Sequence, residues 1–185
     1  MTESLYELNG KPIGTLISAE KLEERIAELG KQITADFQGK DLIVIGVLRG
    51  CFMFLTDLVR QIDLPLVVDF LGLSSYGGRT ESSGVVRVTS DLSTNILDKD
   101  VLIIEDIVDT GLTMSYLMEN MSTRKPRSLK VCTLLEKPDR NIKPCNLDYV
   151  GFTIPDEFVI GYGLDYDDKY RNLPYIGVVD GLGKE

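Results

Sequence analysis

Val101-Leu102-Ile103-Ile104-Glu105-Asp106-Ile107-Val108-Asp109-Thr110-Gly111-Leu112-Thr113 reads as a buried strand that ends in acids and runs into a turn of small residues. Its opening residues are apolar without the alternation of a strand that has one wet face, so both faces should be covered. Beyond the turn, Met114, Leu117, Met118 and Met121 recur at three- and four-residue steps and mark one face of a helix. A doubly covered strand feeding a helix through a short turn is the unit from which parallel α/β sheets are built.

The same pattern extends outward in both directions. Residues 42–47 and 131–135 are short apolar runs of the same kind, and 66–73 and 85–89 read as two further strands. Ser18 stands where an N-cap belongs, and Leu22, Ile26, Leu29, Ile33 and Phe37 then follow with helical spacing before Gly39. Residues 52–62 have helical length and are apolar nearly all round, which suits a buried helix or one that supplies an interface. This alternation predicts an α/β fold with a doubly wound, mainly parallel sheet, whose ligand lies beyond the carboxyl ends of the strands at a topological switch point. From about Gly151 onward, aromatics, glycines and acids are dense and helical periodicity is lost, which predicts a small C-terminal hood lobe. The expected organisation is one domain over 1–185, with a core of about 18–150 and a hood of about 151–185 joined by the N-terminal segment.

Composition narrows the chemistry. A chain of 185 residues, 43% hydrophobic and 26% charged, can build one sizeable core. Its net charge of −9 gives no long-range attraction for nucleic acid or an anionic membrane, so an anionic ligand must be held by local amides, a few cations or a metal. Cys51, Cys132 and Cys145 are odd in number and widely spaced, which supports neither a disulfide framework nor a zinc site and fits reduced thiols in a cytoplasm. No signal peptide is legible at the N-terminus, and no apolar run approaches the ~20 residues of a membrane span. The chain has no histidine, so acid-base chemistry falls to carboxylates, lysines or tyrosines.

The turn after the first-quoted strand is suited to a monophosphate. The amides of Thr110, Gly111, Leu112 and Thr113 can point into one concavity, Gly111 allows close backbone approach, and two threonine hydroxyls add donors beside a helix N-terminus. Neither a P-loop nor a G-x-G-x-x-G dinucleotide fingerprint is present. Glu105, Asp106 and Asp109 beside such a cradle would repel an anion unless they bind its hydroxyls or a hard cation such as Mg2+, and a sugar phosphate satisfies both conditions. The plainer alternative is that Asp109 caps the helix and the other two acids are solvated strand-end charges. Residues 74–84 form a polar, glycine-rich spacer that composition reads equally well as a hairpin tip or as an active-site lid.

The segment Glu105-Asp106-Ile107-Val108-Asp109-Thr110-Gly111-Leu112-Thr113 resembles the phosphoribosyl pyrophosphate signature of type I phosphoribosyltransferases, in the form carried by their hypoxanthine-guanine members. Val47-Leu48-Arg49-Gly50 is similar to the family's pyrophosphate loop, whose peptide is often cis, and Ser74-Ser75-Tyr76-Gly77 to the start of its catalytic loop. Leu134-Leu135-Glu136-Lys137-Pro138 resembles the segment whose lysine recognises the purine 6-oxo group, and 154–166 the lobe that stacks on the purine. Arg171 falls where the family places a pyrophosphate-binding arginine. The matches run in order from about 40 to 177, with Leu112 and Glu157 as minor departures. Taken singly, Lys137 reads as a surface lysine, Phe158 as a core aromatic, and Arg49 and Arg171 as solvated charges.

The resemblance implies a magnesium-dependent salvage enzyme whose partners are phosphoribosyl pyrophosphate and a 6-oxopurine, with no nucleic acid or membrane partner, usually a homodimer or homotetramer. It makes Asp109 the base at purine N7. It sets Glu105 and Asp106 on the ribose hydroxyls and on metal, and Asp165 on a second metal ion. Arg49, Gly50, Ser75, Tyr76 and Arg171 fall on pyrophosphate, and Lys137, Phe158 and the Val159 backbone on the purine. The rivals are an RNA-binding regulator on the same fold, which should carry a basic face, and a phosphoribosyltransferase for adenine, xanthine or a pyrimidine.

Overall fold

The computed structural model describes residues 6–8, 10–76, 85–179 and 181. In chain order it contains β1 (Glu7–Leu8), β2 (Lys11–Pro12), β3 (Gly14–Ile17), α1 (Ala19–Asp36), β4 (Leu42–Leu48), α2 (Phe52–Val59), β5 (Leu66–Tyr76) and β6 (Val85–Ser90). There follow β7 (Asp100–Val108), α3 (Leu112–Thr123), β8 (Ser128–Glu136), β9 (Tyr149–Thr153), β10 (Val159–Ile160) and β11 (Ile176–Val178).

The main sheet has the order β6-β5-β4-β7-β8-β9, parallel except for β6, which runs antiparallel at one edge. Along β4, Leu42 and Val44 face the core shared with α1 and α2, and Ile43, Ile45 and Val47 face the core shared with α3. That alternation between two apolar surroundings is why these strands read as continuous hydrophobic runs. The chain winds from β4 to β5 on one side and then returns to β7 on the other, so the strand order switches between the carboxyl ends of β4 and β7.

Several boundaries differ from the sequence expectation. The Ser18 hydroxyl accepts from the Lys21 amide at 3.4 Å and starts α1 as expected, but the helix closes at Asp36, with the Phe37 amide on the Ile33 carbonyl at 3.0 Å. Helix α2 stops at Val59 instead of running to Ile62; Ile62 still enters the core, from a turn in which its amide reaches the Val59 carbonyl. The apolar surface of α2 is divided, with Phe52, Met53 and Val59 half-buried. Phe54, Leu55 and Leu58 are buried, and Asp57 accepts from the Tyr162 hydroxyl of the hood at 2.5 Å. The large exposed hydrophobics include Val67, Val68 and Phe70 on β5. Strand β5 also continues through Ser74, Ser75 and Tyr76, paired with Arg87, Val86 and Val85, so the spacer is shorter than expected, and 77–84 lie outside the described residues. At the other edge, Gly151 belongs to β9 and therefore to the main sheet; the chain leaves that sheet after Thr153.

The hood joins both ends of the chain. Strands β10, β11 and β3 form an antiparallel sheet in that order, over a small core of Leu8, Ile13, Ile160, Leu173 and Val179. Among the described residues no helix is long and apolar enough to cross a membrane.

Candidate active site

An open cleft lies at the switch point, lined by Leu48 at the end of β4 and Arg49 and Gly50 after it, by Glu105 and Asp106 near the end of β7, and by Thr113 in the first turn of α3. The Leu48-Arg49 peptide is cis, as the resemblance implies. Gly50 is wedged between two parts of the site: an added Cβ would stand 1.6 Å from Asp106 Oδ2. On its other side Gly163 of the hood, at φ +102°, comes so close that a Cβ there would lie 2.1 Å from the Gly50 carbonyl oxygen. Only paired glycines permit that approach of hood, loop and carboxylate.

Gly111, at φ +78°, occupies the N-cap of α3 and gives it no side-chain cap. Asp109 therefore does not cap the helix, which removes the plainer reading of that residue. The Leu112 amide donates to the Thr110 hydroxyl at a long 3.5 Å, and the positive end of the helix, with Thr113, opens beside the cleft. Leu112 begins the helix, so its apolar side chain leaves this donor in place.

Glu105 and Asp106 keep a partial opening to the cleft, yet Glu105 Oε2 is sealed from solvent and accepts no hydrogen bond in the structure. Burial pushes the Glu105 carboxyl well above its ordinary range, and the neighbouring Asp106 charge pushes it further. Burial also raises Asp106, to about 6, against the amide hydrogen bonds and the Arg171 charge that favour its ionised form. Asp106 keeps the Ile107 amide at 3.0 Å, so of the two carboxylates it is Glu105 whose oxygen is left without a partner.

The hood carries a chain of ion pairs. Arg171 Nη2 lies 2.7 Å from Asp165 Oδ1 and Nη1 donates to the Gly163 carbonyl at 2.8 Å, while Arg49 Nη2 lies 3.0 Å from Asp168 Oδ1. Arg171 is partly buried in its pairing, whereas the Arg49 side chain stays exposed and meets Asp168 at the surface. Phe158 packs edge-on against Tyr166, with ring centroids 5.8 Å apart, and Val159 is buried in β10. Glu157 turns its amide to the Pro155 carbonyl at 2.8 Å. The side chains of Ser75 and Tyr76 lie outside the described parts of the structure.

Lys137 is buried, 6% exposed, at the end of β8, and its Nζ lies 3.7 Å from Asp156 Oδ1, beyond hydrogen-bond distance. The plain surface reading of Lys137 therefore fails. The structure also supplies two residues that sequence reasoning missed. Arg140 Nε lies 2.9 Å from Asp109 Oδ1, and Arg140 Nη1 lies 3.4 Å from Asp156 Oδ1. The first contact is an ion pair whose N–H is not aimed at the oxygen, because Asp109 Oδ1 is sealed and accepts no hydrogen bond. Asp156 lies within the 154–166 segment but had no role assigned to it there, and Arg140 stands in no recognisable motif, since an arginine on a polar turn gives no signal of its own.

The phosphoribosyl transferase domain family matches residues 14–167. A hypoxanthine-guanine phosphoribosyltransferase of Mycobacterium avium is 53% identical over 171 residues, covering 89% of this chain and 84% of that protein. A Bacillus subtilis protein of the same name is 49% identical over 164 residues, covering 89% and 91%. Among solved structures, a Trypanosoma cruzi hypoxanthine phosphoribosyltransferase in complex with the product IMP superposes with a TM-score of 0.86 at 42% identity, covering 95% of this chain and 98% of that one.

Proposed function

The chain belongs to the phosphoribosyl transferase family, and from that premise we propose that it transfers the 5-phosphoribosyl group of phosphoribosyl pyrophosphate to N9 of hypoxanthine or guanine, releasing pyrophosphate. The observation that carries this reading is the cleft that brings together the Arg49-Gly50 loop, the Glu105-Asp106 pair with its orphaned Glu105 oxygen, and the start of α3.

In this reading the amides and hydroxyls of Thr110, Gly111, Leu112 and Thr113 hold the 5-phosphate, and Glu105 and Asp106 accept from the ribose hydroxyls. The Gly50 amide, Arg49 and Arg171, together with Ser75 and Tyr76, meet pyrophosphate, where negative charge builds as the C1′–O bond breaks. Lys137 donates to purine O6, Phe158 stacks on the ring, and the Val159 backbone reads the pyrimidine edge. As the N9–C1′ bond forms, the proton leaves purine N7 for Asp109, the carboxylate one residue before the phosphate turn. An adenine 6-amino group would set a donor against the Lys137 ammonium, which favours a 6-oxopurine.

The residues also fit Mg2+. Glu105 and Asp106 would hold one ion and Asp165 of the hood a second, and the orphaned Glu105 carboxyl is the observation in favour. Among the described residues no three such side chains are spaced to cage a metal alone, which suits an ion that takes most of its oxygens from a polyphosphate and water. When bound, the ion would neutralise the departing pyrophosphate.

Free, buried Cys51 and Cys132 suit a cytoplasmic enzyme, and the exposed Val67, Val68 and Phe70 of β5 suit a homodimer or homotetramer. The test is a panel of hypoxanthine, guanine, xanthine, adenine and uracil with Mg2+ and phosphoribosyl pyrophosphate. IMP and GMP are the expected products; no turnover of either 6-oxopurine, or tight retention on RNA, would overturn the reading.

A further inference from the structure

Arg140 stands on a single 3-10 turn, Pro138–Arg140, whose backbone is fastened at both ends to the site. The Lys137 amide donates to the Val108 carbonyl at 2.9 Å, and the Ile142 and Lys143 amides both donate to the Thr110 carbonyl, at 3.0 and 3.1 Å. Asp109 lies between those two anchor points in sequence. The turn therefore has a fixed base beside Asp109, while the Arg140 side chain, exposed and long, can move without it.

The guanidinium already touches two carboxylates. It lies 2.9 Å from Asp109 and 3.4 Å from Asp156, and buried Lys137 approaches the same Asp156 oxygen at 3.7 Å. Two cations and two carboxylates form one chain: Asp109, Arg140, Asp156, Lys137. Its contact with Asp109 is also incomplete, because no N–H points at the sealed oxygen, so a ligand N–H aimed there offers more than the guanidinium does.

We propose that Arg140 is a substrate-displaced counter-ion, which neutralises Asp109 in the unliganded site and withdraws to Asp156 when the purine enters. This rests on the assignment of Asp109 as the group that receives the N7 proton. The exchange leaves no charge stranded. Purine O6 takes Lys137 from Asp156, the vacated Asp156 takes Arg140, and Asp109 takes the purine N–H. Every carboxylate and every cation keeps a partner before and after, which matters because an unpaired charge in a closing site is costly. Asp156 is then a positioning residue, acting on Asp109 only through Arg140.

The expected effects are modest because Arg140, Asp109 and Asp156 are all partly exposed. With saturating Mg2+ and phosphoribosyl pyrophosphate, Arg140→Gln should raise kcat/KM for hypoxanthine about 2–5-fold through a lower KM, since no ion pair need be broken. Arg140→Lys, which keeps a cation there, should return KM towards the wild-type value. Asp156→Asn should move KM the other way, upward about 2–5-fold, because the guanidinium loses its second position and stays on Asp109. In the double variant that rise should vanish, because Asp156 has nothing left to receive. A merely structural role would raise KM in both single variants. The proposal is overturned if Arg140→Gln raises KM or leaves it unchanged, or if Asp156→Asn has the same effect with and without Arg140. Thermal melts of each variant report whether folding is intact, and Arg140→Lys keeps the comparison interpretable if Arg140→Gln misfolds. Failure of the underlying reading looks different: wild-type protein that turns over no 6-oxopurine, or Asp109→Asn with near wild-type kcat, removes the Asp109 assignment before any Arg140 variant is measured.

Discussion

Strands β5 and β7 flank β4, and each brings carboxylates into the interior under opposite terms. Asp69 on β5 is 8% exposed and accepts from the amides of Phe70, Ser93 and Thr94 at 2.7–2.9 Å and from the Ser93 hydroxyl at 3.2 Å. Burial pushes this carboxyl up, but the Phe70 and Thr94 amides and the other donors outweigh it, and the group stays below its ordinary range. On β7, burial prevails: Glu105 is held well above its range and Asp106 is raised to about 6. The difference is the supply of donors. The chain completes the solvation of Asp69 and leaves that of Glu105 unfinished, which ties the first carboxylate to the fold and leaves the second with an oxygen able to accept from a ligand.

The largest expected effect sharpens the functional side of this contrast. Asp109→Asn removes the proton acceptor but keeps its shape, and kcat for IMP formation should fall by ~10²–10⁴ with phosphoribosyl pyrophosphate binding largely retained. A pre-steady-state assay alongside isothermal titration separates the two; near wild-type kcat would exclude the role.

Glu105→Gln tests the unfinished carboxylate directly. Losing a charged acceptor for ribose or metal should lower kcat/KM for phosphoribosyl pyrophosphate by about 10–100-fold. The melting temperature should hold or rise, because the amide relieves a buried, uncompensated charge. A clear fall in melting temperature would place Glu105 with Asp69 as a structural group.

Lys137→Gln probes the buried ammonium at the end of β8. Hypoxanthine kcat/KM should fall by about 10–100-fold while that of adenine, expected to be a poor substrate, changes far less, so the gap between the bases narrows. Unchanged discrimination in a two-substrate competition assay would take Lys137 out of the specificity role.

The smallest effect on activity belongs to Asp69→Ala, which should act on stability. Its loss should cost about 1.5–3 kcal/mol at neutral pH in urea unfolding. The folded-state pKa lies below the unfolded one, so the stability it confers is present above the unfolded value of about 3.9 and is lost as pH falls through the folded value. Wild type and variant should therefore converge in acid. A difference that persists below that window would mean the residue acts through packing.

What the sequence determined by itself was what local period and local chemistry can encode. Residues 101–104 have no polar alternation because apolar side chains cover both faces of β7, and Gly111 marks the tight turn into α3, where a side chain would meet the Lys143 carbonyl. The sheet, its crossovers and the start of α1 follow from such signals, and the site residues on β7 and its turn share one short segment. Other features required the tertiary structure. Strands β3, β10 and β11 are two to four residues long and come from opposite ends of the chain, too short for a period to show. The extension of β5 to Tyr76 follows its pairing with β6, and the chain beyond α2 is held where Gln61 packs on Gly30 and the Asp63 amide reaches the Thr34 hydroxyl. Gly50 and Gly163 reveal their need for glycine only where they meet, and Arg140, Asp109 and Asp156 become one charge cluster only once β7, the turn after β8 and the hood are brought side by side. Such contacts join residues far apart in the chain, and no local propensity encodes a distance between them.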